Sequence, residues 1–212
     1  GDDDAIVMKT SAFAISTLFL LLVGYYAGWG RWVEQSSDWQ KHNLILMDLT
    51  QGNWPVYYST GDGHSMLSYY IAQYLLPALA GKCLHSVRLA EIANYVWAEI
   101  GLILVYLNLV RVTKARRTTA QFAAAFILVL FSPPVVLAKF VRWLADSGMD
   151  LAGVISGGPW FINEKAGLQM QYSGNFVLLR WVFPQAIVPW LTMLLFLGDR
   201  DRHVAAVTGT GT

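Results

Sequence analysis

The sequence predicts an all-α, polytopic membrane protein from three observations: its hydropathy, its few charges and its many aromatic rings. Of its 212 residues, 55% are hydrophobic and 14% are charged, and the mean hydropathy is +0.42. A soluble domain usually carries about 25% charged residues. The nine Trp and ten Tyr are typical of chains whose rings anchor helices at the level of the lipid headgroups. We therefore expect the lipid bilayer to be a partner of this chain.

The charge balance argues against a nucleic-acid partner, and the cysteine content argues against a disulfide and a cysteine-based metal site. The formal net charge is +1, and no pattern of basic and aromatic residues indicates a nucleic acid as partner. Cys83 is the single cysteine, so the chain has neither an intramolecular disulfide nor a cysteine-based metal site.

Four segments are apolar over about 20 residues, the length that a helix needs to cross a bilayer. They form one predicted transmembrane domain at 10–197, after a polar leader at 1–9 and before a polar tail at 198–212 that is expected to fray. The predicted spans lie at about 10–30, 88–110, 120–141 and 176–197. Four basic residues crowd the short loop after the second span: Arg111, Lys114, Arg116 and Arg117. Such density marks the cytoplasmic side.

Two further helices, near 38–51 and 67–81, are predicted to lie along the membrane interface in the first outer loop. Ser37 and Gln40 have the spacing of a capping box, and Gly52 marks the end of the first of these helices. At roughly 20 Å, that helix is too short to cross. The second is amphipathic, which favours an interfacial position. If it crossed instead, there would be five spans, and the two large loops would lie on opposite sides.

Three ionisable residues are candidates for chemistry. Asp38 and His42 are four residues apart and share a helix face. The alternative is that Asp38 caps the helix while His42 is an ordinary surface residue. Glu99 falls inside a predicted span, where an ionisable group is costly and often functional. Its alternative is a neutral acid, or one bonded to a helix outside this chain.

Five short motifs carry a family resemblance. They are Ser-Asp-Trp-Gln-Lys-His-Asn at 37–43, Asn-Trp-Pro-Val-Tyr-Tyr at 53–58, Leu-Phe-Ser-Pro-Pro at 130–134, Tyr-Ser-Gly-Asn-Phe at 172–176 and Arg-Trp-Val-Phe-Pro-Gln at 180–185. Together they resemble the N-terminal portion of GT-C-type membrane glycosyltransferases of bacteria and of their uncharacterised relatives. The resemblance covers most of residues 10–197.

The resemblance implies an enzyme integral to the bacterial cytoplasmic membrane that takes a sugar from a polyprenyl-phosphate carrier on the outer face. That family has many more spans than this chain, so further transmembrane helices or subunits are expected as partners. The family's first outer loop carries an acidic residue, often paired with a second acid. Here Asp38 alone matches.

The chemistry of glycosyl transfer assigns expected roles to these residues. Inversion needs a carboxylate to accept a proton from the acceptor hydroxyl, and a cation to hold the leaving phosphate. Asp38 is expected to be that base or a ligand of Mg²⁺ or Mn²⁺, with His42 as second ligand or proton relay. Four residues are expected to contact the substrate: Lys165, Asn175, Arg180 and Glu99. The alternative for Lys165 and Arg180 is ordinary snorkelling at the interface.

Two other functions stay open at this point. A transporter- or flippase-like protein would use Glu99 as a relay, although no inverted repeat or pair of broken spans is found. A structural membrane subunit would have no site of its own.

Overall fold

The computed structural model describes residues 8–35, 37–60, 63–131, 164–165, 171–172 and 174–208. The described residues form six helices: α1 (Thr10–Ala27), α2 (Trp39–Gln51), α3 (Ala72–Cys83), α4 (Val87–Val112), α5 (Thr118–Leu130) and α6 (Asn175–Thr208). The same residues form four strands: β1 (Tyr57–Thr60), β2 (Gly63–Met66), β3 (Glu164–Lys165) and β4 (Gln171–Tyr172).

Within this described part, three helices are long and apolar enough to cross a membrane: α1, α4 and the Asn175–Asp199 part of α6. The described part is mostly helical, which is compatible with the predicted class of an all-α membrane protein. α5 is apolar but has only 13 residues, and the rest of the predicted span at 120–141 lies outside the described residues from 132 onwards. α1 exposes Ile15, Leu18 and Leu22 and buries Leu20 and Val23, as a helix with one face toward lipid requires.

α1 and α4 run antiparallel, so the end of α1 meets the start of α4. The Tyr95 hydroxyl donates to the carbonyl of Leu21 over 2.8 Å, and Arg31, just past α1, pairs with Glu91 over 2.9 Å. The chain that joins these helices, with α2 and α3, therefore leaves and returns at the same end of the bundle. α3 has 12 residues with Pro77 inside, about 18 Å, which is too short to span. The interfacial position of 67–81 stays a prediction.

The basic loop after α4 lies at the opposite end. Gly198 of α6 lies beside Val112 and Arg111, and Gln121 at the start of α5 donates to the carbonyl of Ala115 over 3.1 Å. At the other end, the backbone N–H of Asn175 donates to the carbonyl of Phe131. The ends of α1 and α5 and the start of α6 therefore share the end that carries α2 and α3.

Cysteine labelling tests this arrangement, because Cys83 is exposed at the end of α3. A membrane-impermeant maleimide should label Cys83 in the wild type, and Ser59→Cys in a Cys83→Ser background, from the same side of the membrane. Lys114→Cys in that background should label from the opposite side. Labelling of Cys83 and Ser59→Cys from opposite sides would overturn the topology.

The all-α prediction misses two short antiparallel hairpins. β1 pairs with β2 from Tyr57 opposite Met66 to Thr60 opposite Gly63, and β3 pairs with β4. Aromatic and β-branched residues in β1 favour extended backbone, where the sequence had indicated only a loop. The Tyr58 hydroxyl donates to Asp48 Oδ2 over 2.5 Å, which ties the first hairpin to α2.

Three predicted boundaries also move. α1 ends at Ala27 rather than near residue 30, because Gly28 adopts a left-handed conformation at φ 92 and closes the helix. α3 begins at Ala72, five residues later than expected from the predicted start at 67. α6 does not end at 197 but continues to Thr208, so most of the predicted frayed tail is helical.

Candidate functional site

The last helix is broken near its start, and the break exposes backbone acceptors. Val182 has φ −141 and ψ 41 inside α6, and Pro184 follows it. Proline has no N–H, so the carbonyl of Arg180, four residues earlier, loses its helical donor. Buried carbonyl groups need partners from elsewhere. We call the carbonyls of Leu179, Arg180 and Trp181 the carbonyl triplet.

Each carbonyl of the triplet meets a ring nitrogen from the segment 29–42. Trp29 Nε1 donates to the carbonyl of Leu179 over 2.9 Å, and Trp39 Nε1 donates to that of Arg180 over 2.7 Å. His42 Nε2 lies 3.1 Å from the carbonyl oxygen of Trp181. Phe183, fully buried, stacks on Trp39 with centroids 5.6 Å apart. These contacts fix α2 on the broken helix.

His42 is a bridge between three helices and not a surface residue. A carbonyl can only accept, so Nε2 carries the proton toward Trp181, and Nδ1 accepts from the Tyr74 hydroxyl over 2.6 Å. His42 is 2% exposed. Burial lowers the pKa of His42 and raises that of Tyr74. Both ring nitrogens are therefore used in a neutral imidazole, and neither is available to a metal ion or a proton relay in this arrangement.

Acid should destabilise the protein through His42. Because burial lowers its pKa below the ordinary 6.5, the folded protein binds this proton less readily than the unfolded chain. The stability contribution is complete above pH 6.5 and falls as the pH drops below that value. Thermal unfolding in detergent between about pH 8 and pH 5 measures it.

The matched control is His42→Gln, whose amide keeps one donor and one acceptor but does not titrate. Its stability should fall less in acid than that of the wild type, whereas His64→Gln, in the exposed β2 strand, should follow the wild type. Identical pH profiles for the wild type and His42→Gln would contradict the assigned role of His42.

Asp38 lines an open groove along α2. The groove has a volume of about 500 Å³ and is lined by Ser37, Asp38, Gln40, Lys41, Leu44, Ile45, Asp48 and Tyr58. Asp38 is the N-cap of α2 but makes no capping bond with its side chain. Within the described residues no hydrogen bond or ion pair engages its carboxylate. Asp38 therefore occupies the N-cap position without a side-chain capping bond, and it lines the groove.

Lys41 supplies a cation at the same groove. Its ammonium group lies 4.8 Å from the ring centroid of Tyr69, and a hydrogen bond with Tyr69 raises the pKa of Lys41. Lys41 therefore stays charged at neutral pH. Asp48, the other acid of the groove, is engaged by Tyr58.

Among the described side chains, those of Asn175, Arg180 and Glu99 are not part of the groove lining. Asn175 Nδ2 donates to the carbonyl of Leu128 over 2.8 Å and so joins α6 to α5. Arg180 Nη1 lies 3.4 Å from the carbonyl of Tyr26, and the backbone carbonyl of Arg180 accepts from Trp39 of α2. The backbone of Lys165 is in β3, and its side chain lies outside the described part of the structure.

Glu99 is buried in the helix bundle, 2% exposed. A Cβ at Gly24 would lie 1.9 Å from Glu99 Oε1, so the Glu99 carboxyl packs directly against the Gly24 backbone of α1. Neither Glu99 oxygen has a hydrogen-bond partner within the described residues.

The groove fits a divalent metal ion only in one way. Across the described residues no three His, Cys, Asp or Glu side chains form a group able to hold a metal. Mg²⁺ commonly takes one or two protein carboxylates and completes its shell with water and substrate phosphate. The Asp38 carboxylate fits that pattern as a single protein ligand. His42 does not fit as a second ligand, because both of its ring nitrogens are already engaged.

Sequence reasoning missed the residues that build the site: Trp29, Trp39 and Tyr74. The available signal was Pro184, because a proline inside a span frees the carbonyl four residues earlier and calls for a donor. Trp side chains can only donate, which makes the nearby tryptophans the natural candidates.

Comparison with known proteins adds no family. No family model matches the chain, and neither the curated proteins nor the solved structures contain a significant match.

Proposed function

We propose that this chain is a membrane glycosyltransferase-like protein that takes a sugar from a polyprenyl-phosphate carrier, with Asp38 at its reaction site. The observation that carries the proposal is the pairing of an unengaged carboxylate with a cation in one open groove, at the bundle end that carries α2 and α3. The motif at 37–43 supplies both residues, and α2 is held firmly by the carbonyl triplet.

The two side chains have the charges that an inverting transfer needs. The acceptor oxygen attacks the anomeric carbon while the bond from that carbon to the phosphate oxygen breaks. The acceptor's proton passes to the Asp38 carboxylate, and the departing polyprenyl phosphate keeps the bonding electrons. Lys41 stabilises the negative charge on that phosphate.

Asp38 has a second way to serve the same reaction. Its carboxylate would hold Mg²⁺ or Mn²⁺ together with the donor's phosphate, and the ion would then neutralise the leaving group. Dependence of the rate on added metal separates this role from that of a base.

The proposal includes the setting implied by the family resemblance. The groove would open at the outer face of the bacterial cytoplasmic membrane, because the basic loop Arg111–Arg117 at the opposite end marks the inner face. Further transmembrane helices or subunits would complete the acceptor site.

A donor-consumption assay tests the function. Membranes that contain the overproduced protein should release labelled mannose or glucose from the corresponding polyprenyl-phosphate sugar, faster than membranes without it. The assay should be run with EDTA, with Mg²⁺ and with Mn²⁺. If the protein neither consumes nor binds these donors, the proposal is overturned and a structural membrane subunit is left.

Glu99 supports a second candidate, a transporter- or flippase-like protein. A carboxyl group that is 2% exposed in a spanning helix is costly unless it is used. For this candidate, the same membranes would move the labelled lipid between leaflets without consuming it, and Glu99→Gln would abolish that movement.

A further inference from the structure

Two arginines share one buried carboxylate at the end of the bundle that carries α2 and α3. Arg31 Nη1 lies 2.9 Å from Glu91 Oε1, and Arg88 Nη1 lies 2.8 Å from Glu91 Oε2. The Glu91 side chain is 9% exposed, whereas those of Arg31 and Arg88 are 58% and 43% exposed. Two guanidinium groups and one carboxylate leave a net positive charge. We call Arg31 and Arg88 the arginine pair.

The arginine pair is held in place but still has donors to offer. Arg88 Nη1 also donates to the carbonyl of Gly30 over 2.7 Å, and its guanidinium lies 5.3 Å from the ring centroid of Trp32. Within the described residues both guanidinium groups bond through Nη1 alone. The Nε and Nη2 groups of each arginine remain for a ligand.

The chemistry around the pair indicates an anion. Arg88 is the second residue of α4, where the N–H groups of the helix start add partial positive charge. Glu91 neutralises part of this charge. The other acid near the pair, Glu34, forms no ion pair in the described part of the chain. Guanidinium groups bind phosphate oxygens in a bidentate way.

The surrounding rings place the pair at a particular depth in the membrane. Tyr25, Tyr26 and Trp32 are 37%, 59% and 40% exposed, and Tyr25 stacks on Trp32 with centroids 5.9 Å apart. Tyr and Trp concentrate at the level of the lipid headgroups. The abundant anion at that depth is the phosphate of a lipid.

We propose that the arginine pair binds the phosphate of an anionic phospholipid, at a site that is separate from the Asp38 groove. Each guanidinium would present Nε and Nη2 to one side of the phosphate while Glu91 keeps the two groups oriented. The inference does not depend on the proposed function, since it uses no residue of the groove.

Native mass spectrometry of the detergent-purified protein, titrated with phosphatidylglycerol, measures this binding. An arginine near the membrane surface contributes about fivefold to the affinity for anionic lipid, so Arg31→Gln with Arg88→Gln should weaken the affinity of the site by about 30-fold. Inorganic phosphate at the same concentration should not compete, because the acyl chains anchor the lipid. Competition by inorganic phosphate would show a site for free anions and overturn the lipid assignment.

The matched control removes the same charge at the opposite end. Arg116→Gln with Arg117→Gln, both exposed after α4, should leave the tight binding unchanged. Equal weakening by the two double variants would show a general effect of net charge and overturn the site.

Removal of both arginines leaves Glu91 buried without a partner, and the double variant then risks misfolding. Arg31→Gln alone keeps Arg88 on Glu91 and Gly30, and its affinity should fall by about fivefold. Adding Glu91→Gln to the double variant removes the unpaired charge and should retain the 30-fold loss. Binding within twofold of the wild type in either of these folded variants contradicts the proposal.

Discussion

Asp38→Asn should lower the rate of sugar transfer by about 10²–10⁴-fold, the usual contribution of a general base. The substitution keeps the size of the side chain and removes its charge. Because Asp38 makes no capping bond and forms no hydrogen bond or ion pair with a described residue, the change should leave the melting temperature within a degree or two. Donor consumption and thermal unfolding, measured on the same preparation, separate the two effects.

Glu34→Gln is the control, because Glu34 is an exposed acid at the same end of the bundle and does not line the groove. It should transfer sugar at the wild-type rate. Loss of activity in Asp38→Asn that added Mn²⁺ restores would assign Asp38 to metal binding. Transfer at the normal rate by Asp38→Asn would remove Asp38 from the reaction.

Trp39→Ala should destabilise the protein by about 3–5 kcal/mol, as expected for a large buried side chain. Trp39 is 2% exposed and stacks on Phe183 with an angle of 11° between the ring planes. Trp39→Phe keeps most of the packing but leaves the carbonyl of Arg180 without its donor, at a cost of about 1–3 kcal/mol. The difference between the two variants separates ring packing from hydrogen bonding.

Trp97→Ala serves as the control, since Trp97 is 39% exposed on α4. Its melting temperature in detergent should change much less than that of Trp39→Ala. Equal stability of Trp39→Phe and the wild type would show that the Arg180 carbonyl does not depend on the indole N–H.

The parts of the fold that depend on neighbours in the chain were predictable from the sequence. α2 was expected at 38–51 and is found at Trp39–Gln51, because its apolar middle and Gly52 act locally; the expected capping box of Ser37 and Gln40 is not formed, since the N-cap is Asp38 without a side-chain bond. The long apolar segments likewise predicted α1, α4 and α6, since hydropathy needs no knowledge of partners. The interfacial position of α3 rested on amphipathicity and stays a prediction; its 12 residues are too few to span a bilayer.

The position of His42 was not predictable in the same way. Spacing placed it near Asp38, but its partners are Tyr74 and a carbonyl 139 residues away. That carbonyl belongs to Trp181, next to the break in α6 at Val182. Helix periodicity shows which residues share a face of one helix. It does not show which of these faces will contact a kink in a helix that is distant in sequence. Asp38 and His42 are close in sequence, yet they face different surroundings.

The carbonyl triplet also sets an order of events during biosynthesis. Trp29, Trp39 and His42 precede their acceptors by 150, 141 and 139 residues. At about 5–20 residues per second, a ribosome takes on the order of ten seconds or more to make the intervening chain. For that interval the first helix and α2 have been made without the acceptors that later hold them. A nascent chain interrupted before Asn175 lacks the carbonyl triplet and cannot hold α2 in place. The packing of the first loop therefore depends on synthesis of the last helix.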